Sequence, residues 1–244
     1  MPYTGRGYCY QPALNSYILP TDKTSFQCEA GYYRTSEQGV PSGCEECSAG
    51  WYSTRGSNVC TRCEIGTFSA IYGSTSCTPC AAGTFSVAIY DGKGASSCTP
   101  CAAGKYSPAG QASCTNCDAG YYCPEGTTEA DKNKNICPAG TYAPTGSPFC
   151  LDTPAGNWSG SGFATFLSDA LGYYSGSRSG SHTICPPGTY CPQNAGAPVP
   201  CPSGTFGSSS GLSTPNCSGQ CGSGTYCGDT GHVTPMRCTT ELQV

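Results

Sequence analysis

Apolar residues are strung along this chain almost one at a time. Leu, Ile and Val never gather into a sustained run, so over most of the 244 residues neither a long half-buried strand nor a long amphipathic helix is predicted. What recurs is a single ring: Tyr or Phe stands five residues after a cysteine and two after a glycine, in the phrase Cys-x-x-Gly-x-(Tyr/Phe). The phrase occurs ten times, headed by Cys28, Cys47, Cys63, Cys80, Cys101, Cys117, Cys137, Cys185, Cys201 and Cys221. Composition alone predicts roughly 0.3 occurrences among 22 cysteines, so the chain is an array of repeated units. In each, the glycine is expected to turn the chain at positive φ, and the ring two residues on to lie over a bridge and serve as that unit's core.

One stretch departs from this spacing. Phe163, Phe166, Leu167, Ala170, Leu171 and Tyr174 fall at i, i+3, i+4, i+7, i+8 and i+11, which predicts a short helix over 163–174 with Gly172 near its C-terminal end. A weaker version of the same spacing occurs at Leu14, Tyr17 and Ile18.

Cysteine usage then changes the picture. At 22 of 244 residues it lies in the range of disulfide scaffolds and implies an oxidising compartment. Five heads, Cys47, Cys63, Cys80, Cys101 and Cys117, are preceded three residues earlier by Cys44, Cys60, Cys77, Cys98 and Cys114. If each head closes forward onto the first cysteine of the next pair, the bridges are Cys28–Cys44, Cys47–Cys60, Cys63–Cys77, Cys80–Cys98 and Cys101–Cys114, sequential and never nested. Cys137–Cys150 and Cys201–Cys217 read as loops of the same kind. A bonded loop of about 15 residues contributes about 3 kcal/mol in the chain-entropy treatment, enough for a ladder of them to replace a conventional core.

Two rivals use the same residues. Closure within a Cys-x-x-Cys pair is the thioredoxin-like option, and Cys44, Cys47, Cys60 and Cys63 have a spacing close to that of a zinc ribbon. Against both, the pairs continue in tandem without grouping into fours, His182 and His232 lie outside them, and the glycine–aromatic phrase follows isolated cysteines too. Three heads carry a second cysteine directly after the ring, at Cys123, Cys191 and Cys227, and spacing leaves their pairing open. If they close locally, Cys9 and Cys238 remain, one near each end.

Charge removes further classes. With 11 Lys+Arg against 15 Asp+Glu and a net charge of −4 there is no basic stripe for nucleic acid or anionic lipid. No run approaches the 18 apolar residues of a membrane span, and no signal-like apolar segment stands among the first residues, so the export signal of such a chain is expected outside it. No Ser/His/Asp set, carboxylate pair, phosphate loop or His-Glu-x-x-His motif stands out, and no cofactor is expected. Asn157-Trp158-Ser159 and Asn216-Cys217-Ser218 are N-glycosylation sequons.

The segments CSAGWYS, CEIGTFS, CAAGTFS and CAAGKYS, joined by pairs such as CTPC, resemble the ephrin-receptor-like cysteine-rich repeats also called GCC2/GCC3 modules. Each loop is similar, more loosely, to the first bonded loop of tumour-necrosis-factor-receptor modules. The resemblance covers residues 28–150 closely and 185–244 more loosely, and it implies an extracellular array with no catalytic residues. The expected fold is therefore one of small disulfide-rich repeats, an elongated ladder of bonded loops with short two-stranded β-hairpins and little helix. The expected segments are 1–27, a repeat array over 28–150, a cysteine-free Gly/Ser-rich insertion over 151–184, and a second array over 185–244. The function expected is that of a glycosylated structural subunit of a fibre, coat or appendage, with a receptor ectodomain as the alternative. Copies of the chain are the expected partners, head to tail, through Phe163, Phe166, Leu167 and Leu171 and through Cys9 or Cys238.

Overall fold

The computed structural model describes residues 16–19, 22–37, 40–87 and 94–238. Among these there is no helix. Two hairpins have strands of four to seven residues: β1 (Ser16–Leu19) pairs antiparallel with β2 (Asp22–Cys28), and β3 (Tyr32–Glu37) with β4 (Val40–Glu46). Nearly all later strands are two residues long and pair in the same antiparallel way, for example Thr67–Phe68 with Thr78–Pro79 and Thr84–Phe85 with Thr99–Pro100. The chain forms two compact units. The first comprises Met1–Ala102, Tyr106–Thr115 and Glu125–Ala130, and the second Ala103–Lys105, Asn116–Pro124 and Asp131–Val244.

One local rule builds nearly every repeat, which we call a rung. In the rung headed by Cys80, the N–H of Thr84 donates to the carbonyl of Ala81 at 3.1 Å, and the Thr84 hydroxyl donates to the same oxygen at 2.7 Å. Gly83, third of the four residues, has φ +81°, the value a type II turn demands at that place. The chain then runs into a two-residue strand carrying the repeat's ring, reverses, and pairs with the strand that leads into the next head. That head donates its N–H back to the turn glycine, as Cys101 does to the Gly83 carbonyl at 2.8 Å.

Backbone bonds also tie rung to rung, and the same set recurs in each unit. In the first, Gly83 N–H donates to Ser107 O, Ser86 N–H to Gln111 O and Gly110 N–H to Cys80 O, at 2.9, 3.2 and 2.8 Å. In the second, Gly140 donates to Ser159, Ser159 to Ser179 and Gly162 to Cys137, at 2.8, 3.1 and 2.9 Å. Strands of two residues cannot hold by pairing alone, and these bonds absorb the backbone groups left over.

The ten disulfides form a ladder. Cys28–Cys44, Cys47–Cys60, Cys63–Cys77, Cys80–Cys98, Cys101–Cys114, Cys137–Cys150 and Cys201–Cys217 close forward over 13 to 18 residues. Cys117–Cys123, Cys185–Cys191 and Cys221–Cys227 close locally, over six. The cysteines with zinc-ribbon spacing thus sit in three separate bridges.

The interior differs from the ring-centred one expected. Rings such as Tyr52, Phe68, Phe85 and Tyr190 are only half-buried, whereas the head cysteines other than Cys221, and in most rungs a small residue six positions on, are buried. That residue is Ser in six rungs, and in several of them its hydroxyl is satisfied by the preceding rung: Ser86 Oγ donates to Thr67 O, Ser107 Oγ to Thr84 O and Ser159 Oγ to Thr141 O, at 3.0 to 3.1 Å. The core is thus largely a column of half-cystines, hydroxyls and small side chains.

The helix predicted over 163–174 is not formed. Leu167–Ser168 pairs antiparallel with Asn157–Trp158, and Tyr173–Tyr174 with Thr183–Ile184. Gly172, at φ +83°, makes the turn of a rung in the middle of the supposed helix, and the amides of Asp169, Gly172 and Ser175 donate to Gly156, Cys191 and Ala195 instead of to their own i−4 carbonyls. Residues 151–184 are therefore not an insertion between two arrays. They continue the ladder without cysteine.

Candidate functional site in the cysteine-free rungs

Among the described residues two rungs are headed by a residue other than cysteine and hold no disulfide, and both lie in the second compact unit. Thr153 and Asp169 take the head positions, donating their N–H groups to Gly140 and Gly156 at 3.1 and 3.0 Å as cysteine heads do. Gly156 and Gly172 make the turns, Trp158 and Tyr174 are the rings, and Ser159 and Ser175 the buried small residues. The spacing carries a signal that a search keyed on cysteine misses. Cys137, Thr153, Asp169, Cys185 and Cys201 follow at intervals of 16 residues, DALGYYS repeats the phrase with its first letter changed, and TPAGNWS does so with Trp158 as its ring.

Hydrogen bonds replace the covalent links. Where Cys185 and Cys191 bridge head to sixth residue, the Thr153 and Ser159 hydroxyls meet at 2.5 Å, and Ser175 Oγ donates to Asp169 Oδ1 at 3.0 Å. Rings fill the place, three residues before the next head, that closing cysteines hold elsewhere. Phe166 packs edge-on against Tyr142 with centroids 5.2 Å apart, and His182 against Trp158 at 5.3 Å and Tyr173 at 4.5 Å, while Phe163 meets Trp158 at 5.7 Å. Such pairs contribute about 0.5–1.5 kcal/mol each beyond burial. If the 153/159 pair is equivalent to a local bridge, Thr153→Cys with Ser159→Cys should oxidise to one. Mass spectrometry of the non-reduced, alkylated double variant should find both thiols unlabelled and Tm raised; two alkylated thiols would show that the positions are not equivalent.

Asp169 is the unusual head. Its side chain is wholly buried, Oδ1 accepts from Ser175, and Oδ2 has no hydrogen-bond partner among the described residues. The imidazole Nδ1 of His182, a side chain 40% exposed, lies 4.0 Å from Oδ1. Nearby on the same unit, Arg178 pairs with Asp152 at 3.3 Å, and its φ of +61° places it at the second turn of the rung, where most rungs have glycine.

The other candidate residues separate. Leu167 and Leu171 are 47% and 61% exposed, whereas Phe163 and Phe166 pack inside their own chain. Asn157 is half-buried in a hairpin, its Oδ1 accepting from Ser168 Oγ at 2.9 Å and its Nδ2 donating to Ala155 O at 3.3 Å, and the sequon hydroxyl of Ser159 is buried. Asn216 is exposed in a turn before Cys217. Cys238 carries a free, exposed thiol and donates its N–H to Gly224 at 3.0 Å, in the manner of a head. Cys9 lies outside the described residues. In the first unit an open groove is lined by Tyr33, Glu45, Glu46 and Trp51. The Tyr33 hydroxyl donates to Glu45 Oε2 at 2.8 Å, and that bond, with burial and the carboxylate charge, raises its ionisation above 10.0. A phenol held protonated in this way is a poorer base and nucleophile, not an activated one.

The repeated turn, forward bridge and buried serine come together most regularly between Cys47 and Cys101. Residues 50–90 match the family described as tyrosine-protein kinase ephrin type A/B receptor-like. No curated protein matches the chain. The matched family is a receptor-like cysteine-rich repeat, and the ladder of ten disulfides fits repeats of that kind. The chain thus carries an extracellular-type, disulfide-rich module. Among the described residues no helix is long and apolar enough to cross a membrane.

Proposed function

We propose that this chain is a structural subunit of an extracellular fibre, surface coat or appendage, secreted or held at the cell surface and acting without catalysis. The observation that carries the reading is the uniform tie between rungs. A backbone bond from turn glycine to the next rung's sixth residue recurs throughout both compact units, and most rungs add a disulfide. Such a design resists extension and proteolysis and commits little surface to a single ligand. Partners are further copies of the chain, with Leu167 and Leu171 as exposed apolar contacts and Cys238 or Cys9 as sites for a bridge between molecules. Asn157 and Asn216 are proposed to carry glycans, Asn157 being modified before its rung closes over Ser159.

Electron microscopy and sedimentation of the purified, oxidised protein test this reading. Fibres or large oligomers are expected, and Leu167→Ser with Leu171→Ser should release monomers that retain all ten internal bridges. A parent that is monomeric at high concentration, or a double variant that still polymerises, would overturn the assembly role. Mass before and after enzymatic removal of N-glycans reads the two sequons in the same preparation. The second reading, a ligand-binding or adhesive fragment of a receptor ectodomain, is favoured by the match over residues 50–90 and predicts single, unassembled particles.

A further inference from the structure

We propose that Asp169 and His182 make the cysteine-free rungs a pH-responsive opening point, closed while His182 is protonated and loosened when it is neutral, within a ladder whose other rungs are covalently locked. The inference does not depend on whether the chain builds a fibre or a receptor.

A carboxylate out of water costs several kcal/mol unless a charge or a full set of hydrogen bonds compensates it. Asp169 has one donor, Ser175 Oγ, and leaves Oδ2 bare in the interior. The groups able to help are few. Between residues 135 and 228 the sequence holds only four acidic, basic or imidazole side chains, Asp152, Asp169, Arg178 and His182. Arg178 is engaged with Asp152 at 3.3 Å, which leaves the His182 imidazole, 4.0 Å from Oδ1, as the cation facing Asp169. Around His182 pack the uncharged ring of Trp158 and the phenol ring of Tyr173.

The sign of the effect follows from the partners. A protonated His182 supplies the charge that a buried Asp169 carboxylate lacks, so this stabilisation is present on the acid side and is lost as pH rises and the imidazole gives up its proton. Histidine is the side chain whose charge ordinarily changes between pH 5 and 8, which sets the two pH values at which the rung is compared. What opens is decided by covalency. A head cysteine remains tethered through its bridge whatever its surroundings, but Asp169 and Thr153 add to the backbone bonds that heads make only hydroxyl hydrogen bonds and ring contacts, so residues 153–184 are where loosening is cheapest in the second unit.

Amide hydrogen exchange on the full oxidised chain at pH 5.5 and 7.5, corrected for the intrinsic rate, tests the proposal. Protection across 153–184 should fall about tenfold at the higher pH while that of the bonded rung over 201–217, whose amides donate to carbonyls outside 153–184, stays constant. Asp169→Asn, which removes the buried charge but keeps the shape, should abolish the difference, and so should His182→Phe, which keeps a ring on Trp158 and Tyr173. Asp169→Cys with Ser175→Cys, once oxidised, should hold the segment closed at both pH values. Equal protection at the two pH values in the parent, or a pH difference that survives in Asp169→Asn, overturns the proposal.

Discussion

Treatment of the oxidised protein with dithiothreitol is expected to unfold both compact units at neutral pH. In the chain-entropy treatment a forward loop of 13 to 18 residues contributes about 3 kcal/mol and a six-residue local loop about 2 kcal/mol. Any three or four of the ten bridges therefore supply as much as the roughly 5–15 kcal/mol net stability of an ordinary domain. Little else would remain. The buried interior is largely half-cystines, serines, threonines and small residues, with aliphatic side chains such as Val59, Ile65, Ile71 and Leu171 exposed, so the apolar area that could hold a reduced chain together is small. Amide dispersion in a proton–nitrogen correlation spectrum should collapse on reduction and the hydrodynamic radius should rise. A reduced sample that keeps its dispersion would show that the backbone bonds between rungs suffice by themselves.

Gly83→Val should prevent secretion of a folded chain, for two independent reasons. At φ +81° a β-branched residue is strained, a cost of about 1–3 kcal/mol. In addition, a β-carbon at Gly83 would lie 2.2 Å from the carbonyl oxygen of Gly126, a backbone atom of a neighbouring rung that cannot swing away like a side chain. Displacing it strains the Gly126 N–H bond to Cys101 O, at 2.9 Å, so the summed loss should exceed about 4 kcal/mol. Gly222→Ala is the matched control. A β-carbon there meets nothing within 4 Å, and the change should be silent within about 0.5 kcal/mol. The ratio of secreted, fully oxidised protein for the two variants measures the effect, and equal yields would show that the turn tolerates a side chain.

The bonded rungs were legible from residues because their signal is chemical and local. A head cysteine, its glycine and its closing partner lie within 18 residues of one another, and the loop closes without reference to the rest of the fold. The cysteine-free rungs were not legible in the same way. Phe163, Phe166, Leu167, Ala170, Leu171 and Tyr174 fit a 3.6-residue period by coincidence, since that list joins the end of one 16-residue rung to the beginning of the next. Periodicity has no means of knowing that the amides of Asp169 and Gly172 are already claimed by carbonyls in other rungs. The candidate site was hidden for the same reason: Asp169 and His182 are 13 residues apart in an apparently featureless Ser/Gly stretch, and only the rung geometry puts them 4.0 Å apart.

By itself, then, the sequence determined the repeat and its turn glycine, and it put sequential bridging of the seven forward loops ahead of closure within a pair or zinc, because each depends on short-range covalent and dihedral constraints. The tertiary structure alone decided three things. It extended the ladder through Thr153 and Asp169, because backbone bonding between rungs does not require sulfur. It put cysteines and hydroxyls inside and left the rings half-exposed, because the interior hydroxyls bond to carbonyls of the preceding rung as the rungs stack. And it gave Gly83 a second duty beyond its turn, since the oxygen that excludes a side chain there belongs to Gly126, 43 residues away in sequence and in contact only once the rungs have stacked.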